Sequence, residues 1–169
     1  MDIFSSAARV LHVLMVGLWM GAAALCLLLV YLVPDTLDSR QAAEAVLAAT
    51  RARLDLYGVM AGPGALITLA VGWVPMNVPL RLRVFLCLAA TGAAGFGGQY
   101  LLPRMNELMA AMGRPLEELP ATDPLVGQYL ELSTVSFVAL AVQVAAAFLL
   151  TLTAVAAAKP KKRYGGLEF

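Results

Sequence analysis

The chain has 169 residues, 61% of them hydrophobic and only 14% charged, and a formal net charge of +1. That balance is too apolar for a water-soluble globular domain and too neutral for a nucleic-acid partner. The length suits one membrane domain of a few spans, with no second folded module.

In chain order, the first span covers residues 4–33 and ends at Pro34-Asp35. Its stretch 10–33 carries no acidic or basic residue except His12. About 20 apolar residues suffice to cross the hydrocarbon layer as a helix. The run is too long for a signal-peptide core and lacks a small-residue cleavage site, so it is read as retained. The second span runs over residues 56–77, with Gly62-Pro63-Gly64 inside it and Pro75 and Pro79 closing it. Membrane helices tolerate such residues, and a kink at Pro63 is expected rather than a break. The third span covers 82–102, before Pro103, and the last 130–158, before Lys159-Pro160.

The connections differ in kind. Residues 79–82 form a tight hairpin. Residues 35–55 mix Asp35, Asp38, Arg40, Glu44, Arg51, Arg53 and Asp55 with alanine and leucine, good helix formers, and predict a charged helical extension. Residues 104–129 begin helically over 105–112 and turn irregular at Pro115, Pro120 and Pro124. The expected architecture is an all-α antiparallel four-helix transmembrane bundle, a single domain of residues 1–160, followed by a basic, disordered tail at 161–169.

Four spans place both termini on one side. That side carries Arg9, Arg81, Arg83, Lys159, Lys161, Lys162 and Arg163, against five arginines and nine of the eleven carboxylates on the other. Lysine and arginine enrich cytoplasmic loops, so both termini are expected in the cytoplasm, with the chain in a bacterial inner membrane. Its partners are the bilayer and, in expectation, a second copy or a membrane-complex subunit. The run from Gly92 to Gly98, rich in glycine and alanine, offers a close-packing surface to the bundle, a dimer or a flat ligand.

The candidate site starts from His12, the one histidine. Ser5, Arg9, His12, Val16 and Trp19 follow at three- and four-residue steps and share a helix face. Intramembrane ionisable residues face bundle interiors and are functional candidates by default, although a histidine that only hydrogen-bonds a neighbour is the plain alternative. Counting about 1.5 Å per residue from each span centre puts Trp73, Met76, Arg83, Cys87, Thr151 and Thr153 at the depth of His12. Imidazole ligates haem iron, arginines pair with propionates, and Met76 is the soft candidate for a second ligand. The site residues are therefore His12, as metal ligand, with Arg9, Arg83, Trp19 and Met76, and haem b as cofactor. Gln99, Gln143, Thr68, Thr91 and Ser136 read as interhelical hydrogen-bonding residues. Cys26 and Cys87 lie in apolar runs and form neither a disulfide framework nor a metal motif.

Arg9-x-x-His12 followed by Trp19-Met20-Gly21 resembles the first helix of HemJ-type protoporphyrinogen oxidases. Arg53-Leu54, Gly58-Val59-Met60, the run from Pro63 to Leu69 and Gly72 resemble that group's second helix. The skeleton is also similar to copper-resistance D-type proteins, and Leu102-Pro103-Arg104-Met105 with Leu108 to the transmembrane protein 205 type. The resemblance implies a haem-ligand role for His12 and places Arg83 where the oxidases carry a functional lysine. It lapses at Leu27-Leu28-Leu29-Val30 and at Leu132-Ser133-Thr134-Val135, where the oxidases carry other signatures. The implied function is haem binding, with tetrapyrrole oxidation or electron exchange with membrane quinone. The alternative is a non-enzymatic accessory or assembly subunit, or a small transporter or metal-tolerance protein.

Overall fold

The computed structural model describes residues 3–37, 39–71, 79–120 and 122–158. Met76, Trp73 and the tail at 161–169 lie outside the described residues. The elements are helices α1 (Ile3–Thr36), α2 (Arg40–Val71), α3 (Leu80–Phe96), a π-helical turn (Gly97–Leu101), α4 (Leu102–Met112), a 3-10 turn (Leu116–Glu118) and α5 (Pro124–Ala158). No strand occurs among the described residues. Four helical stretches, Ser6–Thr36, Ala42–Val71, Leu80–Met112 and Pro124–Ala154, are long and apolar enough to cross a membrane. They form the expected four-helix bundle. Packed neighbours are α1 with α2 and α5, and α3 with α2 and α5, so the helices form a closed ring.

Local chemistry sets the ends. Ser39 caps α2, its Oγ accepting from the Ala42 N–H at 3.3 Å. Residues 40–55 of the charged segment expected as a helical extension are thus the first half of α2 itself, which runs unbroken through Pro63. Asp123 caps α5, its Oδ1 accepting from the Leu125 N–H at 2.8 Å, with Pro124 in the first helical position. The helix therefore begins six residues before the expected boundary at 130. The third span also passes its expected end at 102 and continues to Met112. Proline leaves the carbonyl four residues earlier without a donor and crowds it. The π turn just ahead of Pro103, where the Leu102 N–H reaches back to the Gly97 carbonyl, relieves that crowding without a break. Gly113, with φ of 61°, then ends α4.

Large apolar side chains point outward, as a lipid-facing surface requires: Leu18, Met60, Ile67, Phe85 and Leu152 are exposed. The interior is made of small residues, with Ala23, Ala65, Ala90, Ala94 and Ala147 fully buried around Trp19 and Leu150. Small residues let membrane helices approach closely enough for dispersion to hold them. The closest approach is α2 on α3, where a Cβ on Gly62 would collide with the Thr91 side chain, 2.8 Å from its Cβ. Gly62→Ala is expected to cost about 1–3 kcal/mol through overpacking. Gly17→Ala, whose Cβ meets nothing within 4 Å, is the control. Denaturation in mixed micelles measures both, and equal stabilities would contradict the contact.

Candidate functional site

Of the face foreseen on α1, His12, Val16 and Trp19 are buried and Arg9 half-buried, and Ala23 and Cys26 continue the buried stripe. His12 is 4% exposed and Arg83, at the start of α3, only 2%. The two are in contact, Arg83 Nη2 donating to His12 Nε2 at 3.0 Å. The other ring nitrogen, Nδ1, lies 3.0 Å from Thr68 Oγ1 on α2. The Thr68 hydroxyl sits 2.9 Å from the Ala65 carbonyl and 3.0 Å from that of Gly64, and it donates to them. Its oxygen thus accepts from Nδ1–H. Guanidinium has no acceptor, so the Nε2 lone pair accepts the hydrogen bond from Arg83. The bonding fixes one tautomer, with hydrogen on Nδ1 and the lone pair of Nε2 directed at a buried cation. Three helices are joined at one ring.

Arg9 lies one turn before His12 and is half-buried. Trp19 lies two turns further along α1, about 10 Å by helical rise, and its ring packs elsewhere. Its Cζ2 atom is 3.1 Å from where a Cβ on Gly58 would stand, and Gln143 Nε2 is 2.7 Å from the same point. The structure thus joins His12 and Arg83, adds Thr68, and assigns Trp19 to a different level. Depth counting did not single out Thr68. Its place on the Pro63–Leu69 stretch and its hydroxyl were the available signals.

That different level holds a second polar cluster. Asp55 of α2 is 1% exposed. Its Oδ2 lies 3.6 Å from Arg51 Nε, an ion pair too long for a hydrogen bond. The carboxylate lies over the π turn, where Oδ2 is 2.7 Å from the Cβ position of Gly97 and the Asp55 Cβ is 3.0 Å from that of Gly98. Any side chain at those glycines would displace it. Gln143, on α5, is likewise 1% exposed. Asp55 belongs to the charged stretch that the sequence reads as a helical extension, and nothing in that pattern marks it as interior. From Thr68 to Asp55 the rise along α2 is about 20 Å, so the two clusters occupy opposite halves of the hydrocarbon layer.

Among the described residues, no three His, Cys, Asp or Glu side chains converge on a point. A metal at His12 would therefore rest on one imidazole and on ligands supplied by a cofactor. Comparison with protein-family models, with curated proteins and with solved structures gives no match for this chain.

Proposed function

We propose that the His12–Arg83–Thr68 end of this integral membrane protein binds haem b, with His12 as axial ligand and Arg83 and Arg9 as partners for the propionates. The observation that carries the reading is the fixed tautomer of His12. Metal-ligating histidines donate their other ring N–H to an oxygen, which orients the ring. Thr68 provides that oxygen here. The residues fit the cofactor in kind: one imidazole nitrogen for iron, and guanidinium groups for carboxylates. Nε2 engages either Arg83 or iron, never both at once, so ligation frees the Arg83 guanidinium for a carboxylate. Haem, when bound, supplies one-electron redox chemistry. The chain's own part is to hold the imidazole, neutralise carboxylates and exclude water, which the burial of His12 and Arg83 favours. Tetrapyrrole oxidation or electron exchange with membrane quinone, in a bacterial inner membrane with both termini cytoplasmic, completes this reading.

The test is an absorption spectrum. Protein purified from haem-replete cells is expected to show a Soret band that His12→Ala abolishes and Arg83→Ala weakens on detergent washing. Arg104→Ala is the matched control, because Arg104 sits at the far end of the same span and pairs on the surface with Glu107 at 2.8 Å. Colourless wild-type protein, or equal losses from the two arginine variants, would overturn the assignment. A second reading, a small transporter or accessory subunit, is favoured by the buried Asp55 cluster, which haem binding does not use.

A further inference from the structure

We infer that the bundle holds internal water at Asp55, carried on to Gln143 and Trp19, and fed only from the membrane face opposite the chain termini. The inference is independent of haem. Three buried side-chain atoms in this region make no hydrogen bond: Asp55 Oδ2, Gln143 Nε2 and Trp19 Nε1. Buried polar groups in native proteins are almost always paired, with protein or with ordered water. The three are complementary in kind, since one is an acceptor and the other two are N–H donors. Water does both, and a buried water typically makes about three hydrogen bonds. Gln143 Nε2 and the Trp19 ring edge bearing Nε1 converge over Gly58, one helical turn from Asp55.

The room is present beside Asp55. A cavity of about 210 Å³ lies between α2 and the α3–α4 stretch, bordered by Asp55, Ala94, Gly98 and the exposed Gln99. At about 30 Å³ per molecule of liquid water, it accommodates several. Gln99 stands about 24 Å along the helix from Arg83, close to the far headgroup layer of a hydrocarbon core about 30 Å thick. On the other side of the ion pair, a cavity of about 220 Å³ has Arg51, Glu44, Tyr129, Ser133 and Ser136 among a mainly apolar lining that includes Leu47, Leu102 and Phe137. It adjoins a third, of about 150 Å³, beneath the loop at Gly113 to Leu116. Glu44 and Tyr129 border both, the Tyr129 hydroxyl donating to Glu44 Oε2 at 3.3 Å. The Arg51–Asp55 pair thus stands between two recesses of mixed lining, each with polar side chains among apolar ones. Toward His12 the path is closed by buried Ala61, Ala65, Leu86 and Ala90.

The inference is tested by water-to-side-chain magnetisation transfer in 15N-labelled protein in lipid nanodiscs. Cross-peaks from water are expected at the Trp19 Nε1–H and the Gln143 amide, the Trp19 signal being identified with Trp73→Phe. The wild-type measurement decides the matter without a folding assumption, and a dry Trp19 N–H overturns the inference. Arg51→Leu/Asp55→Leu, which removes the acceptor without stranding its partner, is expected to abolish both cross-peaks. Their persistence in that variant would overturn Asp55 as the water's anchor.

Discussion

Arg51→Leu is expected to destabilise the bundle by about 3–5 kcal/mol, the cost of stranding one member of a buried ion pair. Asp55 is almost inaccessible, and Arg51 is the cation that pairs with it, on the same helix face four residues earlier. Without the guanidinium, the carboxylate keeps no countercharge and stands against the glycines of the π turn. Exposed Arg53, two residues on, provides the contrast: Arg53→Leu is expected to change stability by no more than about 0.5 kcal/mol. The double change Arg51→Leu/Asp55→Leu should recover most of the loss, because buried ion pairs repay little more than their own desolvation. Denaturant titration in mixed micelles measures all three variants. A single substitution at Arg51 no worse than Arg53→Leu would remove the ion pair from the list of stabilising contacts.

The second large effect is at the opposite end. His12→Leu is expected to cost about 1.5–3 kcal/mol, the usual worth of a hydrogen bond to a charged group, because the buried contact from Arg83 Nη2 to Nε2 is lost. Thr68→Val removes only a neutral bond to Nδ1 and should cost about 1 kcal/mol. The order of the two matters more than either value. Since His12 and Arg83 act as a unit, the double variant His12→Leu/Arg83→Leu is expected to fall short of the summed single effects by about 0.5–3 kcal/mol. Strict additivity would show that the 3.0 Å contact between them carries no energy. These stability measurements stand apart from haem retention, so the hydrogen-bonded triad can be verified even where the cofactor assignment fails.

Both sites illustrate how ionisable groups are kept inside a lipid-facing bundle. Neither cluster rests on charge pairing alone. His12 satisfies both ring nitrogens within the protein. Asp55 depends on an over-long ion pair and on glycines that let helix backbone approach the carboxylate. The first arrangement satisfies both nitrogens of the ring it holds, while the second leaves Asp55 Oδ2 without a hydrogen bond. This difference separates a site organised around one ring from a site arranged to admit solvent.

The sequence by itself determined the spans, their antiparallel order and the inward face of α1. Long apolar runs leave a chain in lipid no alternative to helix, and three- and four-residue spacing fixes which side chains share a face. Axial depth was legible too: counting helical rise placed Arg83 opposite His12, and they touch. What the one-dimensional pattern does not contain is the rotation of each helix about its axis. That rotation brought Thr68 to Nδ1, a residue that axial depth does not single out. It also turned Asp55 inward from a segment whose charges read as a solvated extension, and brought Trp19 to Gln143. Helix rotation is set by where small residues allow close approach, at Gly58, Gly62 and the Gly97–Gly98 turn, and such contacts exist only once the four helices have packed.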